Sequence, residues 1–281
     1  MSSLNIGLLG AFAGLTIFLG LPFGRIRNPS LGSRVMLNGL AIGILLFLLW
    51  DVLAHAVEPV EQALIEATDG QSGSWGRLVE LAVTVIIGVT CGLMSLVYYS
   101  RWMAGRSRAF GPGAAAAAEL GAARPHIAMD AGRRLALVIA VGIGLHNFSE
   151  GLAIGQSAAS GELSLAVLLI IGFGLHNATE GFGIAAPLPS GHDRPGWGFL
   201  VLLGVVSGGP TFVGALVGQA VVSEILSVGF LALAAGSILF VVLQLLRVAD
   251  KFGRRELLCW ALLLGLFLGF ATDFVVAAAG G

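Results

Sequence analysis

The chain has 281 residues, of which 57% are hydrophobic and only 11% are charged, and its mean hydropathy is +0.93. Soluble domains carry about a quarter charged residues, so this composition excludes an ordinary soluble protein and predicts an all-α integral membrane protein. The formal net charge of -1 offers no basic surface for nucleic acid.

Apolar runs of about 20 residues predict eight transmembrane spans, numbered one to eight. No basic residue precedes Arg25, so the first run lacks the charged start of a signal peptide and is counted as a retained span. The whole chain, 1–281, is predicted to form a single transmembrane domain. The predicted spans cover 4–24, 35–57, 78–102, 133–158, 162–186, 197–221, 224–247 and 257–279.

The basic residues predict the orientation of the spans. Fourteen of the 15 fall in or beside the loops after spans one, three, five and seven, and only Arg77 falls on the other side. The positive-inside rule therefore predicts that both termini lie outside. The one long cytoplasmic loop, about 104–132, is the best candidate for local disorder. Small loops and the lack of a targeting signal favour a multi-pass protein of a bacterial or archaeal inner (plasma) membrane.

Acidic residues follow span two on the predicted outer side. They either attract cations to the protein or form an ordinary solvated loop, and the sequence favours neither interpretation. The residues are Glu58, Glu61, Glu66, Asp69 and Glu80.

A polar motif occurs twice within the apolar spans four and five. Each copy reads Gly-Leu-His-Asn-x-x-Glu-Gly, and His and Glu four residues apart share one helix face. Spans four and five are predicted to be antiparallel neighbours, and each His lies about 20 Å below the outer turn. The two copies therefore converge near mid-membrane. Their polar residues are His146, Asn147, Glu150, His176, Asn177 and Glu180.

Buried histidines and carboxylates are costly in a bilayer, and a bound cation neutralises the carboxylates. Imidazole and carboxylate ligands suit Zn²⁺, and also Cd²⁺, Fe²⁺ or Mn²⁺. The alternative is that these residues only form hydrogen bonds between helices. The repeated motif favours the metal site.

Polar residues in other spans are candidates for a transport pathway. Asp51, His55 and Glu58 share one face near the outer end of span two, although an ordinary interfacial helix end is an alternative. Asp273 lies in the outer part of span eight, where an intramembrane Asp is a functional candidate. Gln244 is a candidate for the exit, and Met94 for the lining of the path.

These features together resemble the ZIP family of divalent metal transporters, in a prokaryotic form. Members of that family have eight spans, both termini outside and a variable loop between spans three and four. Their motif in span four is His-Asn-Phe-Pro-Glu-Gly, and a related motif, His/Gln-Asn/Asp-x-Pro-Glu-Gly, lies in span five. The resemblance implies that His146, Glu150 and Glu180 are primary metal ligands, with His176 close by. It assigns Asn147 and Asn177 to an adjoining second position.

The sequence departs from the family pattern at three residues. Ser149 and Thr179 replace the usual prolines of the two motifs, and a hydroxyl bonded to a helix carbonyl is an alternative way to bend a helix. Thr211 in span six replaces a usual Glu. The loss of that carboxylate predicts a weaker second metal position.

The resulting hypothesis is a carrier, not an enzyme, that moves a divalent metal by alternating access, with the metal as substrate and no catalytic cofactor. An intramembrane metal-dependent hydrolase and a non-conducting metal-binding protein are the alternatives. The expected partners are the metal ion and the lipid bilayer. The composition is compatible with a monomer or a homodimer.

Overall fold

A computed structural model describes residues 3–26, 29–70, 74–108, 130–159, 163–220 and 223–278, and these residues are almost entirely helical. Seven of the helices in this part of the chain are long and apolar enough to cross a membrane. The eighth, α5, is 23 residues long. Each helix contains most of the predicted span of the same number. The helices are α1 Ser3–Arg25, α2 Leu31–Thr68, α3 Ser74–Arg108, α4 Ala131–Ala159, α5 Leu163–Ala185, α6 Trp197–Gly218, α7 Glu224–Asp250 and α8 Arg255–Ala278.

The largest difference from the predicted spans lies at the C-terminal end of α2. This helix continues through Pro59 to Thr68, so most of the predicted acidic loop is helical. The tertiary reason is packing: Ala63 is fully buried in a small core with Leu81 of α3 and Val228 of α7. The predicted long loop is shorter at its start, because α3 runs to Arg108. The rest of that loop, 109–129, lies outside the described residues.

Arg77, the one basic residue predicted on the outer side, joins three helices there. Its guanidinium contacts Glu66 of α2 at 2.8 Å and Glu224 of α7 at 2.7 Å. The contact with Glu224 is bidentate, which fixes the orientation of the planar guanidinium group. Part of the acidic charge after span two is therefore used to hold α2, α3 and α7 together.

α1 is interrupted in its middle. The Thr16 hydroxyl donates to the Ala13 carbonyl at 2.7 Å, and the chain turns before it resumes as Ile17–Gly20. A 3-10 turn, Leu21–Arg25, ends the segment with Pro22 in its first turn, where the missing N–H costs little. The interruption leaves the Ala13 carbonyl in position to accept a hydrogen bond from another helix.

Close backbone contacts at glycine join α1, α4, α5 and α6 into a group that we call the first bundle. Gly14 of α1 packs on Gly208 of α6, Gly214 of α6 packs on the Phe148 carbonyl of α4, and Gly181 of α5 packs on Ile17. A Cβ at any of these glycines would collide with backbone. Small residues are the usual means by which membrane helices approach this closely.

The remaining helices, α2, α3, α7 and α8, form the second bundle in the same way. Gly43 of α2 packs on the Leu262 carbonyl of α8, and Gly92 of α3 packs on the Leu233 carbonyl of α7. A buried hydrogen bond of 3.2 Å from Asn38 Nδ2 to the Leu245 carbonyl ties α2 to α7.

The seam between the two bundles has a different character. At Gly142 of α4, the nearest atoms to an added Cβ belong to the side chains of Val241 and Leu96. At Gly183 of α5 they belong to the side chains of Leu245 and Ala41. Side chains can slide or change rotamer where interlocked backbones cannot. At these two glycines the bundles therefore meet mainly through side chains, whereas helices within a bundle meet through backbone.

Candidate metal centre

The two polar motifs lie side by side in the interior of the first bundle. Their His, Asn and Glu residues are all buried, and none of these residues exposes more than 9% of its surface. The i, i+4 spacing directs His146 and Glu150 to the same face of α4, as predicted. The neighbouring helix α5 contributes His176 and Glu180.

Three of these side chains form a group that could hold a metal ion. Ligand atoms of His146, Glu150 and His176 all lie within 4.8 Å of one another. Nε2 of His146 is 3.0 Å from Oε1 of Glu150, and the same oxygen accepts a hydrogen bond from Nε2 of His176. We call these three residues the His/Glu cluster. Two imidazole nitrogens and a carboxylate are the donor set that borderline divalent ions prefer.

Glu180 lies beside the cluster, with Oε1 3.7 Å from His146 Nε2. Within the described part of the chain, neither of its buried carboxylate oxygens has a hydrogen-bond partner. Among the same described residues, Oε2 of Glu150 and both ring nitrogens of His146 also have no hydrogen-bond partner. Buried polar atoms are normally satisfied, so this concentration of unsatisfied atoms fits a site that receives a cation.

Each asparagine of the two motifs donates a hydrogen bond to a backbone carbonyl of a neighbouring helix. Asn147 donates from Nδ2 to the Ser207 carbonyl of α6 at 3.0 Å, and Asn177 donates to the Ala13 carbonyl of α1 at 3.3 Å. Each amide nitrogen is thereby used, and each buried amide oxygen has no partner among the described residues. Each asparagine therefore keeps an unused acceptor oxygen, three residues before the Glu of its own motif. The sequence analysis did not identify these two carbonyls, because a backbone atom leaves no signal in the residue types.

The residues at the proline positions of the motifs bond to their own helices. Ser149 donates to the His146 carbonyl and Thr179 to the His176 carbonyl, each at 2.6 Å. In both motifs a hydroxyl therefore engages the carbonyl of the histidine itself. This back-bonding is the local feature that the sequence analysis gave as the alternative to proline.

Comparison with known proteins supplies the family. Residues 117–277 match the family model described as the ZIP zinc transporter. This range is more than half of the chain, and it includes α4 and α5 with the cluster. The chain belongs to the ZIP zinc transporter family. No curated protein matches the chain in a sequence search.

Membership in the ZIP family confirms the resemblance that the motifs indicated at the level of the family, and it makes the protein a membrane transporter. The prokaryotic form stays a prediction. It points to divalent metal transport, with which the buried His/Glu cluster is compatible. It also agrees with the prediction that the protein is not an enzyme.

Thr211, the residue that the resemblance aligns with a usual Glu, lies on α6 where this helix packs against α4. It is fully buried on α6, and its carbonyl packs on Gly151, the residue after Glu150. In the described structure the Thr211 hydroxyl has no hydrogen-bond partner. A neutral side chain therefore stands where the family pattern has a carboxylate.

Asp51 and Asp273 lie at one level on adjacent helices of this ZIP protein. Gly269 of α8 packs on Phe47 of α2, and each aspartate is one helical turn further along its own helix. Asp51 interacts electrostatically with Asp273, His176 and His146. This pair belongs to the second bundle, whereas the cluster belongs to the first.

The other pathway candidates lie apart from the cluster. His55 exposes 62% of its side chain, with Nδ1 2.9 Å from the Asp51 carbonyl. Glu58 is exposed and accepts a hydrogen bond from Gln62 at 3.3 Å. Met94 and Gln244 are half-buried on α3 and α7. The structure brings neither of them into the cluster, and their predicted roles in lining and exit stay predictions.

Proposed function

We propose that this protein carries a divalent transition-metal ion, with Zn²⁺ as the favoured substrate, across a cell inner (plasma) membrane. The observation that carries the proposal is the buried His/Glu cluster beside unpaired carboxylate oxygens of Glu180. Imidazole nitrogens beside carboxylate oxygens in a buried site favour such a metal over Mg²⁺ or Ca²⁺, which prefer oxygen ligands alone. His146, Glu150, His176 and Glu180 are the proposed ligands, and the two asparagines adjoin them.

Transport by alternating access requires that the site face each side in turn. The proposed ligands all belong to the first bundle, and the seam offers few backbone obstacles to its movement. Asp51 and Asp273 of the second bundle would attract the ion on the outer side. In this proposal both termini lie outside, as the distribution of basic residues predicts.

Uptake into proteoliposomes tests the function directly. Purified protein reconstituted into liposomes should take up radioactive Zn²⁺ faster than protein-free liposomes, and excess Cd²⁺ should compete while excess Mg²⁺ should not. A protein that binds Zn²⁺ in detergent but moves none would be a non-conducting metal-binding protein. Such a result would end the transport proposal.

Asp51→Asn should raise the apparent KM for Zn²⁺ uptake about fivefold, with little change in the maximal rate. A single partly exposed charge contributes roughly 1 kcal/mol to the attraction of a cation, which corresponds to that factor. Glu61→Gln is the matched control, because Glu61 is an exposed carboxylate on the same helix. Equal KM values for the two variants would remove Asp51 from the pathway.

Thr211→Glu should increase the number of metal ions bound per chain. Thr211 packs through its carbonyl on Gly151, the residue after Glu150, so the new carboxylate would enter the contact between α6 and α4 and supply the missing anionic ligand. Equilibrium dialysis against Zn²⁺, followed by metal analysis, measures the stoichiometry. Thr211→Gln introduces a side chain of nearly the same shape as Glu but without the charge. This variant should leave the number of bound metal ions unchanged. If Thr211→Glu also leaves it unchanged, the second position is not limited by this residue.

A further inference from the structure

A cavity of about 170 Å³ opens at the end of the molecule where α1 stops and α2 begins. It lies on the seam, since its walls come from α1 and α5 of the first bundle and from α2 of the second. Phe23, Leu37, Phe182 and Leu188 provide apolar walls, and Ser33 and Arg34 provide the polar part. It is separate from the His/Glu cluster, none of whose residues lines it.

Arg34 is a cation in this cavity that has no anionic partner among the described residues. The arginines that form ion pairs among the described residues are Arg77, Arg133 and Arg255, and Arg34 is in none of these pairs. Its contacts are a long hydrogen bond of 3.4 Å to the Ala186 carbonyl and a position 5.2 Å over the Phe252 ring. A guanidinium has five N–H donors in a rigid fork. Most of this fork is free to bind an anion with several oxygens.

The walls next to Arg34 suit a hydrocarbon chain. Phe23 and Phe182 meet edge to face, with ring centroids 4.6 Å apart, and close one side of the cavity. A small hydrophilic anion would leave this apolar surface in contact with water. A ligand with a phosphate head and an acyl chain satisfies both parts of the cavity.

The cavity also lies at the level where a lipid headgroup would be found. At the same end of α1, Arg25 donates to the Pro195 carbonyl at 2.8 Å and lies 4.7 Å over the exposed Trp197 ring. Tryptophan and arginine at helix ends mark the membrane–water interface. Basic pockets between helices on the cytoplasmic side are suited to anionic lipid headgroups.

We propose that this cavity binds an anionic phospholipid, with the phosphate on Arg34 and Ser33 and an acyl chain against Phe23 and Phe182. The lipid would bridge the two bundles at the cytoplasmic end of the seam. The proposal rests on the chain being a membrane protein and not on the metal site, so its test uses no metal.

Native mass spectrometry of the purified full chain measures the binding. The probes are phosphatidylglycerol, phosphatidylcholine with the same chains, and inorganic phosphate as competitor. Wild-type protein should bind phosphatidylglycerol in preference to phosphatidylcholine, and Arg34→Gln should weaken phosphatidylglycerol binding about tenfold, since a charge-assisted contact is lost. Arg254→Gln, which removes an exposed cation at the α7–α8 turn, is the matched control and should bind as wild type does.

Equal binding by wild type and Arg34→Gln would overturn the proposal. Effective competition by millimolar inorganic phosphate would also overturn it, because the site would then recognise phosphate without the chain. If Arg34→Gln fails to fold, the variant Ser33→Leu tests the proposal instead. Ser33 is exposed at the cavity, so a leucine there would block its mouth. Ser33→Leu should lose phosphatidylglycerol binding with an unchanged thermal melt, and unchanged binding would contradict the assignment.

Discussion

Glu150→Gln is expected to lower Zn²⁺ uptake at least about 100-fold. Changes that only touch the partners of metal ligands cost 10- to 100-fold in affinity, so loss of a ligand should cost at least as much. Glu150 is the carboxylate that contacts both histidines of the cluster, with His146 at 3.0 Å. The amide keeps the shape of the side chain but removes its charge. Uptake in proteoliposomes and Zn²⁺ binding by calorimetry should fall together.

Glu80→Gln is the control for this experiment, because Glu80 is an exposed carboxylate on α3, away from the cluster. It should transport at the wild-type rate. The two variants should also elute alike in size-exclusion chromatography, which separates loss of the site from loss of the fold. Normal uptake by a correctly folded Glu150→Gln protein would show that the cluster is not the transport site.

Gly208→Ala should destabilise the protein strongly, with a fall in Tm of roughly 5 °C or more. Gly208 of α6 is fully packed against the Gly14 carbonyl of α1, so an added methyl group would meet backbone that has no rotamer to change. Overpacking of this kind costs about 1–3 kcal/mol or more where the surroundings cannot yield. Separation of α1 from α6 would also displace the Ser207 carbonyl, which holds Asn147.

The adjacent residue provides a control on the same helix. A Cβ at Gly209 would find its nearest neighbour, Val205 Cγ1, at 3.8 Å, which is ordinary contact. Gly209→Ala should therefore leave the Tm almost unchanged in a fluorescence-based melt in detergent. Helix propensity favours Ala over Gly at both positions, so it cannot account for a loss of stability. Equal Tm values for the two variants would mean that the contact between α1 and α6 does not limit stability.

The sequence was most informative where bilayer physics constrains it. A bilayer about 30 Å thick requires long apolar helices, and the predicted spans accordingly fall within the observed helices to a few residues at most ends. The motifs were informative for the same reason. A His or Glu inside a bilayer is costly, and such residues are usually retained because they have a function. The repeated motifs in apolar spans therefore identified the residues that the structure brings together.

The sequence was less informative where the outcome depends on packing between distant segments. The acidic residues after span two were consistent with a loop or with a cation attractor. The fold extended α2 instead and paired Glu66 with Arg77, because Ala63 packs against α3 and α7. The asparagine partners were also hidden, since Ala13 and Ser207 contribute only backbone carbonyls.

The sequence by itself determined that the chain crosses a membrane and that two His-Asn-x-x-Glu motifs lie within its apolar spans. These are properties of composition and helical spacing, which act over one or two turns of chain. Only the tertiary structure decided that the first bundle holds the whole cluster, that Asp51 and Asp273 lie at one level in the second bundle, and that Arg34 has no ion pair among the described residues. Those features depend on which glycines let which helices touch, and contacts between distant helices leave no periodic signal in the chain.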